Sequence, residues 1–254
     1  MASEQVTLRQ LLAGEEPVAL VAQGGGMRGT YSIAALAALE QEGFTGRFAD
    51  LYGTSAGALN SAYFVAGQAA AGVDIYVDYL SNERFINLRR VRRIIDIDYL
   101  IDEVLRKSVR LKTDRVEALP CRLHVGLTSV TTGLLDWVDV DRDTDIFEVM
   151  RATAALPVVF GREISVGGDR YVDGGLLAPV PLQRALRDGY KNLVVVLTRP
   201  PEFVPQPPNA LTGALIRIAA RCQRHSRQVV SLLGGQMAHL GEELAIIRTA
   251  DFAT

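Results

Sequence analysis

Twice within its first seventy residues the chain runs from a short apolar stretch, through a glycine-rich turn, into a small-residue pattern of helical period. Pro17 to Ala22 (PVALVA) precedes Gly24-Gly25-Gly26 and the pattern Arg28 to Gln41, which Gly43 can end. Phe48 to Tyr52 precedes Gly53 and the pattern Ala56 to Ala70. Unbroken apolar runs bounded by glycine read as buried strands, and repeats of three and four residues read as helices. Strand, helix, strand, helix is the βαβ arrangement, whose connections place parallel strands side by side under a helical layer. The fold class expected is therefore α/β: a mostly parallel central sheet flanked by helices.

The rest of the chain extends this plan. Cys121 to Ser129 and Leu134 to Val140 alternate like strands, and Asp145 to Ala155 reads as a helix stopped by Pro157. Ile164 to Val166 and Arg170 to Val172 flank Gly167-Gly168, a hairpin signal. Leu182 to Asp188 reads as a helix closed by Gly189, and Leu193 to Leu197 (LVVVL) as a buried parallel strand. Val73 to Lys107 reads as helices and irregular connections, with Leu100 to Val109 helical. Residues 200–208 (PPEFVPQPP) form a stiff connector. Beyond it lie a helical stretch from Ala210 to Val230, a break at Gly234-Gly235, a short helix and a final strand at Leu244 to Arg248. The expectation is one domain over 1–254, with its motifs in about 17–200 and a C-terminal helical appendage over 209–254.

Composition narrows the function. Hydrophobic residues make up 48% and charged residues 22%, which is globular rather than disordered. A net charge of −2 gives no bulk attraction to nucleic acid, and no recognised nucleic-acid module frames the arginines at 89–93 or 217–227. Two cysteines, Cys121 and Cys222, exclude a disulfide scaffold and a CxxC metal or redox motif. The first residues lack a basic, then apolar leader, so the cytoplasm is the compartment expected. No cofactor and no metal are expected.

Gly24-Gly25-Gly26-Met27-Arg28-Gly29 satisfies G-x-G-x-x-G between a strand and a helix. Successive unhindered amides at a helix start make a concave site for negative charge, whether phosphate or the oxyanion of an acyl transfer. A dinucleotide reading would use Gly24, Gly26 and Gly29, with Asp50, about 20 residues further on, as the ribose partner. A P-loop is excluded, because no Gly-Lys-Ser/Thr closes the turn. A bare tight turn would need only one of these glycines.

Gly53-Thr54-Ser55-Ala56-Gly57 fits G-x-S-x-G, again between strand and helix. Small flanking residues permit a sharp turn that exposes the hydroxyl. The plainer reading is Ser55 as a helix N-cap. A nucleophilic serine needs a base. His124 lies in a strand pattern, while His225 and His239 lie in the terminal helices, His225 among Arg217, Arg221, Arg224 and Arg227. None of the three sits beside an acid in a turn after a core strand. Asp173, before Gly174-Gly175, is the stronger candidate, although Asp-Gly is also a common hairpin turn. A carboxylate at its ordinary pKa is a poor base unless its surroundings raise it.

Together the three segments resemble the patatin-like phospholipase family, with its G-G-G-x-R/K-G loop, G-x-S-x-G elbow and D-G-G/A acid in that order. Arg151 to Pro157 resembles the family's small-residue helix and proline, and Thr128 to Gly133 and Leu193 to Pro200 its flanking segments. The resemblance covers roughly residues 17–200. It implies a three-layer α/β/α fold and a lipid acyl hydrolase, with Ser55 attacking an ester and Asp173 taking its proton without a histidine. The amides of Gly25, Gly26 and neighbouring Met27 or Arg28 would bind the oxyanion. Gly53 and Gly57 would shape the elbow, and Gly174 and Gly175 would support the acid. The implied substrate is a lipid or fatty-acyl ester. Ala178 stands where many relatives carry Asn, which predicts the loss of a side-chain hydrogen bond there. A catalytically weak, hydrolase-like binding protein is a further alternative.

Arg89, Arg90, Arg92 and Arg93 suit a transient contact with anionic head groups at a membrane surface, or simply a solvated face. The terminal helices leave a homo-oligomer contact open.

Overall fold

The computed structural model describes residues 7–90, 92–118, 120–200 and 202–249. Helix α1 (Leu8–Ala13) opens with a capping box between Thr7 and Gln10. Strand β1 (Val18–Ala22) follows, buried at all five positions, then α2 (Gly29–Gln41) and β2 (Asp50–Gly53). Next come α3 (Ala56–Val65) and α4 (Ala69–Asp74), separated at Gly67, whose φ of +64° ends the first helix. Wide helical turns, with bonds such as Val109 N–H to the Val104 carbonyl, occupy Ile75–Tyr79 and Tyr99–Ser108. After α5 (Thr113–Ala118) stand β3 (Arg122–Ser129), β4 (Leu135–Val140), α6 (Ile146–Thr153), β5 (Ile164–Val166) and β6 (Asp169–Asp173). The chain continues through α7 (Leu182–Arg187), β7 (Asn192–Val196), α8 (Ala210–Cys222), α9 (Arg227–Leu232) and α10 (Gln236–Thr249).

The sheet is mixed. Strands β7, β1, β2 and β3 run parallel, while β4 and β6 pair antiparallel with β3, and β5 with β6. Alternation along β1 explains the layers. Val18 and Leu20 enter a core with Ile33 and Leu36 of α2 and Phe64 of α3; Ala19 and Val21 enter another with Leu182 of α7 and Leu244 of α10. Helices thus cover both faces, as the three-layer plan requires.

Two sequence expectations fail at the C-terminal end. Leu244 to Arg248 is not a strand but lies within α10. Leu240, Leu244 and Ile247, spaced four and three apart, turn one helical face onto the sheet, a period that a five-residue window hides. The helical stretch from Ala210 to Val230 is two helices. Arg224 adopts a φ of +63°, and the Ser226 hydroxyl accepts the Val229 N–H to start the second.

One topological detail positions the site. β3 carries β4 along one edge, and its other edge is shared: β2 occupies Arg122 to Val125, and β6 occupies Leu127 to Ser129 from the opposite direction. The ends of β2 and β6 therefore meet head to head beside Gly126.

Candidate active site

Ser55 is the second residue beyond the end of β2, after Thr54, and Asp173 is the last residue of β6. The Ser55 hydroxyl donates to Asp173 Oδ2 at 2.9 Å. Ser55 does occupy the N-cap position of α3, but its side chain caps nothing. Its backbone, at φ 53° and ψ −135°, lies where side chains are strained, at a cost of about 1–3 kcal/mol. Buried hydrogen bonds hold it there. The Ser55 N–H donates to Thr153 Oγ1 at 2.9 Å, and that hydroxyl donates to the Gly126 carbonyl at 2.8 Å.

Asp173 is 1% exposed and begins a tight helical turn rather than a hairpin. Burial raises its pKa to about 7, against the opposing pull of the Gly175 N–H, at 2.7 Å from Oδ1, and the Ser55 hydroxyl. The weakness of an ordinary carboxylate as a base is thereby removed. Gly174 touches Gly126 so closely that a Cβ would lie 2.0 Å from its carbonyl oxygen; at Gly57 a Cβ would lie 2.3 Å from the Ala22 oxygen. Gly174→Ala and Gly57→Ala are expected to destabilise the chain by roughly 3 kcal/mol or more, read as a lower urea midpoint, because rigid backbone stands in the way.

The glycine loop lies against this pair. Gly24 abuts Thr54 and Ser55, and its N–H donates to the Pro179 carbonyl at 2.9 Å. Gly25 packs on Thr198, Gly26 turns with a φ of +56°, and Gly29 packs on Ala56 and Tyr76. Gly53 packs on Ala58. Among the described residues no acceptor takes the N–H of Gly25 or Gly26, and Gly26 begins a single tight turn with Met27 and Arg28. Arg28 is half-buried with Nε unpartnered; burial and then the charge of Arg199 lower its pKa. The guanidinium of Arg199 stacks over Phe203 at 4.0 Å. Free amides beside unneutralised guanidinium groups make this corner favourable for negative charge.

The loop that follows Asp173 ties these parts together. The Thr54 hydroxyl donates to the Ala178 carbonyl at 2.7 Å, so the backbone at Ala178 supplies a tie to the elbow. Val180 N–H donates to Glu243 Oε2 on α10 at 2.7 Å, and Gln236 Nε2 donates to the Gly175 carbonyl at 2.7 Å. Burial raises the Glu243 pKa to about 8, with the Val180 N–H opposing. Thr153, Gly126, Gln236 and Glu243 carry no local sequence motif, and sequence reading misses them as site residues. The nearest signal was the small-residue run around Thr153.

Other candidates separate from the site. Asp50 stands at the start of β2, not its end, and binds Arg122 at 3.0 Å and Tyr190 at 2.6 Å. It is therefore at the wrong end of the strand to hold a ribose at the glycine loop, which removes the partner required by the dinucleotide reading. His124 is stacked on Tyr52 at 4.6 Å, with Nδ1 2.5 Å from Asp139. In the basic run, Arg90 pairs with Asp96 at 3.6 Å and Arg93 with Asp98 at 3.3 Å, so these two charges are engaged within the protein. Val91 lies outside the described residues.

Fold and site together define an α/β/α protein with a serine at a strained strand-to-helix turn and a buried carboxylate as its partner. The chain belongs to the patatin-like phospholipase family, whose sequence profile matches residues 20–186. It is 28% identical over 207 residues to YjjU of Escherichia coli (strain K12), itself uncharacterized, covering 74% of this chain and 54% of that protein. A crystal structure of VipD from Legionella pneumophila is similar at a TM-score of 0.44 and 15% identity, over 63% of this chain and 46% of that one. The chain thus spans about half the length of these relatives.

Proposed function

We propose that the chain is a lipid acyl hydrolase that works through a Ser55–Asp173 dyad. The observation that carries this reading is the 2.9 Å hydrogen bond from the Ser55 hydroxyl to a buried carboxylate, beside amides without acceptors. Ser55 Oγ attacks the ester carbonyl carbon while its proton passes to Asp173 Oδ2. The carbonyl oxygen becomes an oxyanion facing the N–H groups of Gly25 and Gly26, and each such fixed donor contributes about a hundredfold or more in rate. Collapse breaks the ester bond, and the departing alkoxide takes the proton from Asp173. Water then attacks acyl-Ser55, giving its proton to Asp173, and the carboxylic acid leaves as Ser55 is reprotonated. Arg28 and Arg199 favour esters that carry negative charge, as a phospholipid does.

The proton acceptor must be ionised, so reactivity follows the ionised fraction of Asp173. A fluorophosphonate is expected to label Ser55, located by peptide mapping, at a rate that climbs as pH rises through about 7 and then levels. Absence of an adduct on Ser55 throughout, or a rate indifferent to pH, would count against the dyad.

A further inference from the structure

Between Phe203 and Gly241 the sequence has no Asp or Glu, yet it holds Arg217, Arg221, Arg224 and Arg227. A chain of net charge −2 therefore gathers a block of positive charge on α8 and α9. Helix α8 is amphipathic, but part of its apolar surface faces outward. Leu211, Leu215 and Ile218, spaced four and three apart, are 72%, 58% and 56% exposed. The buried residues of this helix are the small Gly213 and Ala220, roughly half a turn away at 100° per residue.

The flank of this stripe is built for an anion. Arg217, Arg221, His225, Arg227, Val230 and Ser231 line a cavity of about 460 Å³ that contains no carboxylate. Among the described residues, none of those three guanidinium groups has an acidic partner. The His225 side chain is only 2% exposed; its Nδ1 faces Glu163 at 3.4 Å, while Nε2 has no partner. Glu163 is itself engaged by Arg170 at 2.8 Å. Planar guanidinium groups converging on a small cavity suit a group with several charged oxygens, such as a phosphate. Exposed leucine and isoleucine beside it suit acyl chains, and basic amphipathic helices of this type lie in the bilayer interface.

We propose that α8 and the start of α9 dock the protein on a bilayer of anionic phospholipid. The apolar stripe enters the acyl boundary, and the arginine-lined cavity takes a lipid phosphate. The docking surface is fastened to the candidate active site. Val229 packs with Val130, Val172 and Leu176 on either side of Asp173, and the Ser226 hydroxyl donates to the Val130 carbonyl at 3.3 Å. Binding of this kind is independent of whether Ser55 turns over.

The test is vesicle flotation of the full chain carrying Ser55→Ala, so that hydrolysis does not change the surface. Phosphatidylcholine vesicles are compared with vesicles containing about 30 mol% phosphatidylglycerol. The expected result is recovery with the anionic vesicles alone. The combined variant Arg217→Gln, Arg221→Gln, Arg227→Gln is expected to weaken that binding roughly a hundredfold. Leu211→Ser, Leu215→Ser and Ile218→Ser together are expected to abolish the part that survives high salt, and unchanged melting temperatures would show that these variants fold. The proposal is overturned by equal recovery on both vesicle types, or by a loss that follows Arg89→Gln and Arg92→Gln instead. Release by inorganic phosphate at matched ionic strength would make free phosphate the ligand. A stripe variant that turns a dimer into a monomer in sedimentation, with flotation unchanged, would make the stripe a contact between copies.

Discussion

Ser55→Ala is expected to lower ester hydrolysis by about three orders of magnitude or more, and Asp173→Asn by a similar factor, with the fold retained in both. The serine variant removes the atom placed to attack, while the amides beside it stay. In the asparagine variant Oδ1 still accepts the Gly175 N–H, so the turn survives, but nothing takes the proton from Ser55 Oγ. Because the two residues act as a unit, the double variant should be no slower than the worse single one. Steady-state turnover of an acyl ester panel, with circular dichroism as the check on folding, measures this. Two single losses that multiply in the double variant would show that the residues act separately.

The second large effect is on stability, and its sign is unusual for a carboxylate. Burial raises the folded pKa of Asp173 to about 7, above its unfolded value. Such a group adds stability that is fully present below the unfolded pKa and is lost as pH rises through about 7. The upper limit is on the order of 4 kcal/mol, at about 1.4 kcal/mol per pKa unit. Asparagine cannot ionise, so Asp173→Asn should match or trail the parent protein at pH about 5 and exceed it by several degrees in Tm at pH about 9. Glu243 is raised in the same way and destabilises both proteins in alkali, so the difference between their melting curves isolates Asp173. Identical pH dependence of the two Tm values would mean that the carboxyl titrates normally and that Asp173 is only the weak base of an ordinary carboxylate.

The parallel core and the elbow were legible because each is local. PVALVA is apolar on both faces, as a strand under two helical layers must be, and Gly53 to Gly57 states its own sharp turn. The meeting of Ser55 with Asp173 was not local. It depends on β6 pairing with only three residues of β3, and no residue pattern in either strand names its partner. The buried ties from Thr153, Gln236 and Glu243 were invisible for the same reason, since a hydrogen bond across the fold leaves no spacing in the sequence. The run of arginines near residue 90 shows the same limit from the other side. Local composition shows charge, but not that Asp96 and Asp98 stand close enough to use up Arg90 and Arg93.

The shared edge of β3 makes lateral register the quantity that any chemistry at Ser55 depends on. Slippage of β6 by a single residue would turn Asp173 to the opposite side of the sheet, since neighbouring positions of a strand point opposite ways. The small hairpin of β5 and β6, outermost on that side and folded about Gly167 and Gly168, is therefore the gauge that sets the spacing between acid and hydroxyl. Between the two residues, only the connections outside β3, α6 and this hairpin can change length without disturbing that spacing.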